Sequence, residues 1–368
     1  MVDPYTVVIK TKESDPLLPA RLSYYGGQML PSEYYKKVGM DGFRAKPIGT
    51  GCVKFADWKK NERLVLERNS NYWIGPIQWD RIIVKPYPET ATRTSVAATG
   101  EADIATLIPP DQVEFVEKAG TTKVLGALYC GFFLYVINTN TPPLDNKLVR
   151  QAINYAVDRQ GVVKNLWRGY GAVPNDAYPN TDKIGYTPGK TPLQYDPQKA
   201  KELLKKGGYK GEEILVSAPI GYITNDKQLT EVIASMLQEV GINAKVNLME
   251  YSVRAQKQRE KNIGHSIWLG NPTSYLFDPD AMEWRLMQPG GIFSYWRNPE
   301  WDDLMSKARI NQDVKKRDEM YKKAATIFME EVPWLIIIQP EQLFAVKKTI
   351  KWKPRSDELI QFYEVLPQ

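Results

Sequence analysis

Ile214-Leu-Val-Ser217, then Leu229, Val232, Ile233, Met236, Leu237 and Val240, then Ile242, Ala244, Val246 and Leu248: this stretch decides the fold. The first run is a short apolar strand. The second set recurs at helical spacing and predicts a helix from about Lys227 to Val240, closed by Gly241. The third alternates as a half-buried strand does. A strand–helix–strand of this length crosses over right-handed and pairs in parallel, which makes the chain α/β. In such sheets ligands sit beyond the carboxyl ends of the strands. The next strand is His265-Ser-Ile-Trp-Leu269, and the loop after it is Gly270-Asn-Pro-Thr-Ser-Tyr-Leu-Phe277. Hydroxyls and an amide beside aromatic rings suit a binding cleft, because the polar groups orient a ligand while the rings cover it. A purely structural loop is the alternative.

The chain has 368 residues, which suits two lobes better than one core. A net charge of +6 with interspersed signs shows no concentrated basic stripe, so nucleic acid is not an expected partner. One histidine, His265, excludes any site needing two imidazoles. Two cysteines, Cys52 and Cys130, cannot make a four-cysteine zinc or iron–sulfur site; two buried free thiols are expected, with one disulfide as the alternative. No cofactor or metal site is therefore expected. Gly49-Thr-Gly51 leads into a strand and lacks the GxxxxGK[ST] pattern, so it is a turn and not a phosphate cradle. No run approaches the ~18 apolar residues of a membrane span. The first twenty residues lack the basic-then-apolar order of a signal peptide.

Further elements come from local chemistry. Tyr5 to Thr11 is β-branched and predicts an opening strand. Val53-Lys-Phe55 and Arg63 to Arg68, around Lys59-Lys-Asn-Glu62, predict a hairpin, with another strand at Arg81 to Lys85. A helix is expected at Glu89 to Ala98, and Val124 to Asn138 is strongly β. Asp145, Asp158, Asp196-Pro197, Asn298-Pro299 and Asp313 start helices. Residues 170–195 read as a long ordered loop. Trp334 to Ile338 and Leu343 to Val346 predict two strands.

Asp278, Asp280 and Glu283 could form an acid–base pair or bind calcium. The simpler expectation is Asp at a helix start, with a second acid favouring the dipole. His265, inside an apolar strand with no serine or cysteine pattern around it, is expected to be structural.

Several segments together resemble the extracytoplasmic solute-binding proteins of peptide-type ABC importers, the dipeptide and oligopeptide binders. Pro47-Ile-Gly-Thr-Gly51 with Lys54-Phe55 resembles P-x-GTGPYKF, and Leu66-Glu-Arg-Asn69 with Asn71-Tyr-Trp73 resembles L-x-RNPxYW. Gly100-Glu-Ala-Asp-Ile104 is similar to G-E-x-D-I. Asn138-Thr139 with Pro143-Leu-Asp145, Val149-Arg-Gln-Ala152 and Asn154-Tyr-Ala-Val-Asp-Arg159 resembles N-T-x-x-PPLDD-x-RVRQA-x-NYAIDR. Tyr195-Asp-Pro197, Lys199-Ala200, Leu203-Leu204 and Gly208-Tyr209 keep the family's order, as do Asp278-Pro-Asp280 and Tyr295 to Pro299.

The resemblance implies an α/β, periplasmic-binding-protein-like fold of type II, with two lobes of mixed sheets joined by a hinge. Its boundaries would be 1–138 for lobe one, 139–339 for lobe two and 340–368 for the return to lobe one. Hinge residues would be Asn138, Thr139, Gln339 and Pro340. It implies a periplasmic or extracytoplasmic monomer that traps a small peptide or related polar solute between its lobes. That solute would be passed to the membrane permease of an ABC importer, with no chemistry done on it. On this resemblance the family's opening segment is expected to be missing, with Met1 falling inside what is normally the interior. Tyr129, Trp268, Asn271, Thr273, Ser274 and Tyr275 are the expected ligand-binding residues. Trp268 and the tyrosines would stack on the ligand, and Asn271, Thr273 and Ser274 would hydrogen-bond it. Peptide binders carry an Asp before D-P-D to pair with the ligand's ammonium. No acid lies between Gly270 and Phe277, which leaves room for an oligosaccharide or an opine. A non-binding scaffold and a carboxylate-dependent hydrolase are the other classes.

Overall fold

The computed structural model describes residues 3, 5–179, 184–187 and 194–368. The chain divides into two compact units, Met1–Arg21 with Leu128–Pro340, and Leu22–Ala127 with Glu341–Gln368.

The first unit holds the strand–helix–strand that makes the chain α/β. Its strands are β1 (Phe133–Ile137), β2 (Ile214–Pro219), β3 (Ala244–Met249), β4 (Ser266–Gly270) and the first half of β5 (Trp334–Lys347). Their order is β5-β1-β4-β2-β3. β2 pairs in parallel with β3 from Ile214↔Ala244 to Pro219↔Met249, and with β4 from Ser266↔Leu215 to Trp268↔Ser217. The crossover helix between β2 and β3, Asp226–Glu239, buries Leu229, Ile233 and Leu237. β1 runs antiparallel to both β4 and β5.

Both faces of this sheet are covered. Phe133, Tyr135 and Ile137 face one core with Val216, Leu229 and Ile233, while Leu134 and Val136 face the other with Trp301, Tyr321 and Phe328. Strand alternation divides β1 between the two cores. Two-sided burial explains its uninterrupted apolar run, where a one-sided strand would alternate. Each fully buried Leu, Ile or Phe contributes roughly 1.5–3 kcal/mol of transfer free energy.

The second unit carries the predicted hairpin, Val53–Lys59 against Arg63–Arg68, extended by Arg81–Val84 into a three-stranded antiparallel sheet. The helix Thr90–Thr99 ends on Gly100 at φ 72°, a left-handed position that suits glycine. The second half of β5 pairs Ala345↔Ala105 and Val346↔Ile104. Phe344, Val346, Ile350, Trp352 and Val365 form a small core beside it.

Two strand expectations change, and one helix had no counterpart among them. Tyr5–Thr11 forms no strand, and Tyr5, Val7, Val8 and Ile9 are exposed; among the described residues the segment has only an isolated Asp3↔Thr6 bridge. β-Branched residues become a strand only with a partner to pack on. The helix Ser32–Ala45 carried no clear signal, because Gly39 interrupts it at φ 67° and it buries no residue. Trp334–Lys347 is one strand, not two, with Pro340 inside it and a register shift between Ile336 and Ile338. The compact units divide at 127/128 and 340/341, and β1 belongs to the unit that holds 128–340. Of the loop read at 170–195, residues 180–183 and 188–193 lie outside the described residues, while Gly171–Ala172 pairs with Pro340 and Gln339. Cys52 and Cys130 are not joined in a disulfide; the first is half-buried and the second buried.

Candidate functional site

Three parallel strands end together, and the segment after each is polar and aromatic. Tyr222 lies just past β2, Tyr251 just past β3, and Asn271 immediately after β4. The rings of Tyr222 and Tyr251 lie 5.6 Å apart, tilted by 32°. Arg254, one turn into the helix Tyr251–Arg259, places its guanidinium 4.8 Å from the Tyr222 ring centre and 5.9 Å from that of Tyr251. Its Nη2 donates to the carbonyl of Leu269 at 3.2 Å, tying the helix to the last turn of β4. Tyr222 donates its hydroxyl hydrogen to Asn271 Oδ1. Burial pushes the Tyr222 phenol's pKa up, and the positive charge of Arg254 works against that shift.

Because β1 is antiparallel to β4, its leading residues reach the same edge. Gly131 bridges Thr273, and Ser274 N donates to the carbonyl of Cys130 at 2.8 Å. The hydroxyls of Tyr129 and Thr273 share a hydrogen bond, and Tyr129 Oη also donates to the carbonyl of Asn271 at 3.4 Å. A Cβ on Gly131 would lie 2.1 Å from the Pro272 carbonyl oxygen, so only glycine allows this approach. The Gln339 amide donates to the carbonyls of Tyr129 at 2.7 Å and Pro179 at 2.9 Å, and Tyr129 N donates to the carbonyl of Pro340 at 2.9 Å.

The structure thus brings Tyr129, Asn271, Thr273 and Ser274 to one edge. Asn271 and Tyr275 are half-buried, while Tyr129, Thr273 and Ser274 are buried. Trp268 is not there to stack on a ligand. Alternation along β4 turns it into the second core, 4% exposed, with Nε1 donating to the carbonyl of Ile263. Gln339 and Pro340 adjoin the division at 340/341. Asn138 and Thr139 lie at the far end of β1, tied by their side chains to the carbonyls of Gly264 and Tyr295. The residues overlooked in the sequence are Tyr222, Tyr251 and Arg254. The rule applied to the end of β4 would have found them at the ends of β2 and β3.

The carboxylates near Asp278 are committed elsewhere. Asp278 Oδ2 accepts from Arg317 at 2.8 Å, and its Oδ1 accepts from the backbone N–H of Asp280 at 3.0 Å. Burial raises the Asp278 pKa while Arg317 counteracts the shift. Asp280 sits between Arg21 and Arg309. The capping role expected of Asp278 is present, but both Asp side chains are buried in ion pairs and not solvated. Glu283 is 1% exposed, and neither of its oxygens has a hydrogen-bond partner. Burial, reinforced by the charges of Asp278 and Asp176, drives its pKa well above the ordinary carboxylate range. His265 is half-exposed, with Nε2 3.6 Å from Glu213 Oε1. Among the described residues no group of three or more His, Cys, Asp or Glu side chains converges as a metal site. Among them, too, no helix is long and apolar enough to cross a membrane.

Comparison with known proteins agrees with this architecture. The glutathione-binding protein GsiB of Shigella flexneri serotype 5b is 27% identical over 361 residues, covering 95% of this chain and 70% of the relative. The periplasmic binding protein DppA of Helicobacter pylori, solved with the peptide STSA, superposes with a TM-score of 0.83 at 24% identity over 97% of this chain and 71% of its own. NikZ of Campylobacter jejuni, solved with Ni(L-His), gives a TM-score of 0.84 at 22% identity over 99% of this chain and 77% of its own. The fold is the α/β, type II periplasmic-binding-protein fold. The profile of the bacterial extracellular solute-binding proteins, family 5 (middle region), matches residues 1–294, and the chain belongs to that family.

Proposed function

We propose that this chain binds a peptide or related polar solute at the edge where β2, β3 and β4 end, and delivers it to the membrane permease of an ABC importer outside the cytoplasm. The observation that carries this reading is the convergence of Tyr222, Tyr251 and Asn271 on the carboxyl ends of three parallel strands, in a chain of this family. Tyr129, Thr273, Ser274 and Tyr275 complete the set of contact groups. A relative that binds glutathione and a structural neighbour holding a tetrapeptide support a short peptide as the solute. On this reading the protein does no chemistry on the solute, which the ion pairs that hold Asp278 and Asp280 support.

The test is a thermal-shift screen with glutathione, di- to pentapeptides, oligosaccharides and opines. A ligand at a hundred times its Kd stabilises by about 2.7 kcal/mol through mass action. A clear upward shift with one peptide class is expected. Silence across all classes refutes the proposal, and a response to oligosaccharides alone redirects it.

A further inference from the structure

We propose that the Asn271–Tyr222–Tyr251–Arg254 edge is an anion subsite that receives a carboxylate of the ligand. The inference rests on the function proposed above and specifies which end of the solute this edge holds. Arg254 is 4% exposed and carries a full positive charge, yet among the described residues no carboxylate forms an ion pair with it. Its Nε is buried with no hydrogen-bond partner, and the groups that meet the guanidinium, the Leu269 carbonyl and the two phenol rings, are neutral. A buried charge is ordinarily paired, because desolvation costs several kcal/mol per ion. Two tyrosine faces supply part of the compensation, and the rest is available to an incoming anion.

Asn271 presents the complementary group. Its Oδ1 accepts from the Tyr222 hydroxyl, which fixes the amide and leaves Nδ2, a donor, without a partner among the described residues. The edge therefore offers donors and positive potential. No acid occupies 270–277, and Asp278 and Asp280 are already neutralised by Arg317, Arg21 and Arg309. An ammonium would meet no acceptor charge here, whereas a carboxylate meets Asn271 Nδ2 with Arg254 behind the tyrosines. Asn271 is the contact group, and Arg254 is a positioning residue that holds Tyr222 and the end of β4.

Calorimetric titration of the full chain tests this with five probes: glutathione, glutathione diethyl ester, Ala-Ala-Ala, its C-terminal amide and its N-acetyl form. The free-carboxylate forms are expected to bind at least about tenfold more tightly than the ester or amide, with N-acetylation changing little. Asn271→Asp sets a carboxylate against a carboxylate and should abolish that preference, while Asn271→Ala weakens it. Arg254→Lys should retain part of the preference and Arg254→Met should lose it. Melting temperatures verify folding, and the Asn271 variants, in a half-buried loop, remain decisive if the Arg254 variants do not fold. Equal affinity for free and blocked carboxylates overturns the inference and leaves the proposed function intact. Loss of binding on N-acetylation with no effect of amidation overturns it too. No binding of any probe refutes the peptide reading and the subsite together.

Discussion

Replacing Glu283 by Gln isolates a buried acid that has nothing to bond. The side chain is fully enclosed, both oxygens lack partners, and its pKa lies well above the 4.5 of an exposed glutamate. Burial is the largest cause; the nearness of its own backbone N–H opposes it, and the charges of Asp278 and Asp176 reinforce it. An acid whose folded pKa is raised lends its stability below its unfolded pKa, and loses it as the pH climbs to the folded pKa. Unfolding releases this proton throughout that window, so the wild type loses about 1.4 kcal/mol per pH unit from this group alone. Glutamine is nearly isosteric, keeps the neutral form and does not titrate. Urea unfolding of both proteins at pH 5, 6 and 7 should give ΔG differences that move in favour of Glu283→Gln as the pH rises, by at most about 1.4 kcal/mol per unit. Asp278 and Asp176 titrate in both proteins and largely cancel in the difference. Parallel stability curves would show that Glu283 ionises in the folded state as it does in the unfolded one, and the assignment of a neutral buried acid would be wrong.

Two further changes probe the frame of the site. Arg317→Ala leaves Asp278 buried without its cation and should cost about 3–5 kcal/mol, read from urea midpoints; a loss below about 1 kcal/mol would mean that the pair is not held. Gly131→Ala forces a methyl against the Pro272 carbonyl and should cost roughly 1–3 kcal/mol, with ligand affinity falling in the same variant because Pro272 to Ser274 must move; unchanged affinity would detach that loop from binding.

The parallel unit was legible because helix and strand periods are local and each element is long enough to show one. The hairpin at 53–68 was legible because its turn residues admit few other conformations. What escaped the sequence depends on distant partners. The stretch Tyr5–Thr11 has strand composition but no strand to join, and Pro340 marks a break in composition that β5 tolerates in its pairing. The loop 270–277 was found from its polar and aromatic residues. Its neighbours Tyr222, Tyr251 and Arg254 come from segments well separated along the chain, and only the sheet order brings them to Asn271. Trp268 failed for a simpler reason. A one-residue change of phase along a strand decides which face a side chain takes, and the core behind β4 claimed this one.

That second core also gives the molecule an optical asymmetry. Trp268, Trp296, Trp301 and Trp334 are buried in it and Trp167 in the first core, all in the unit 128–340, whereas in the other unit Trp58 and Trp73 stand 57% and 79% exposed, Trp79 is half-buried and only Trp352 is buried. Exposed indoles already emit as they do in water, so unfolding changes them little. A red shift of tryptophan emission therefore reports mainly the unit that holds the strand-end site, while far-ultraviolet dichroism reports both. Divergence of the two signals in one titration would date the melting of each unit separately, with no label added.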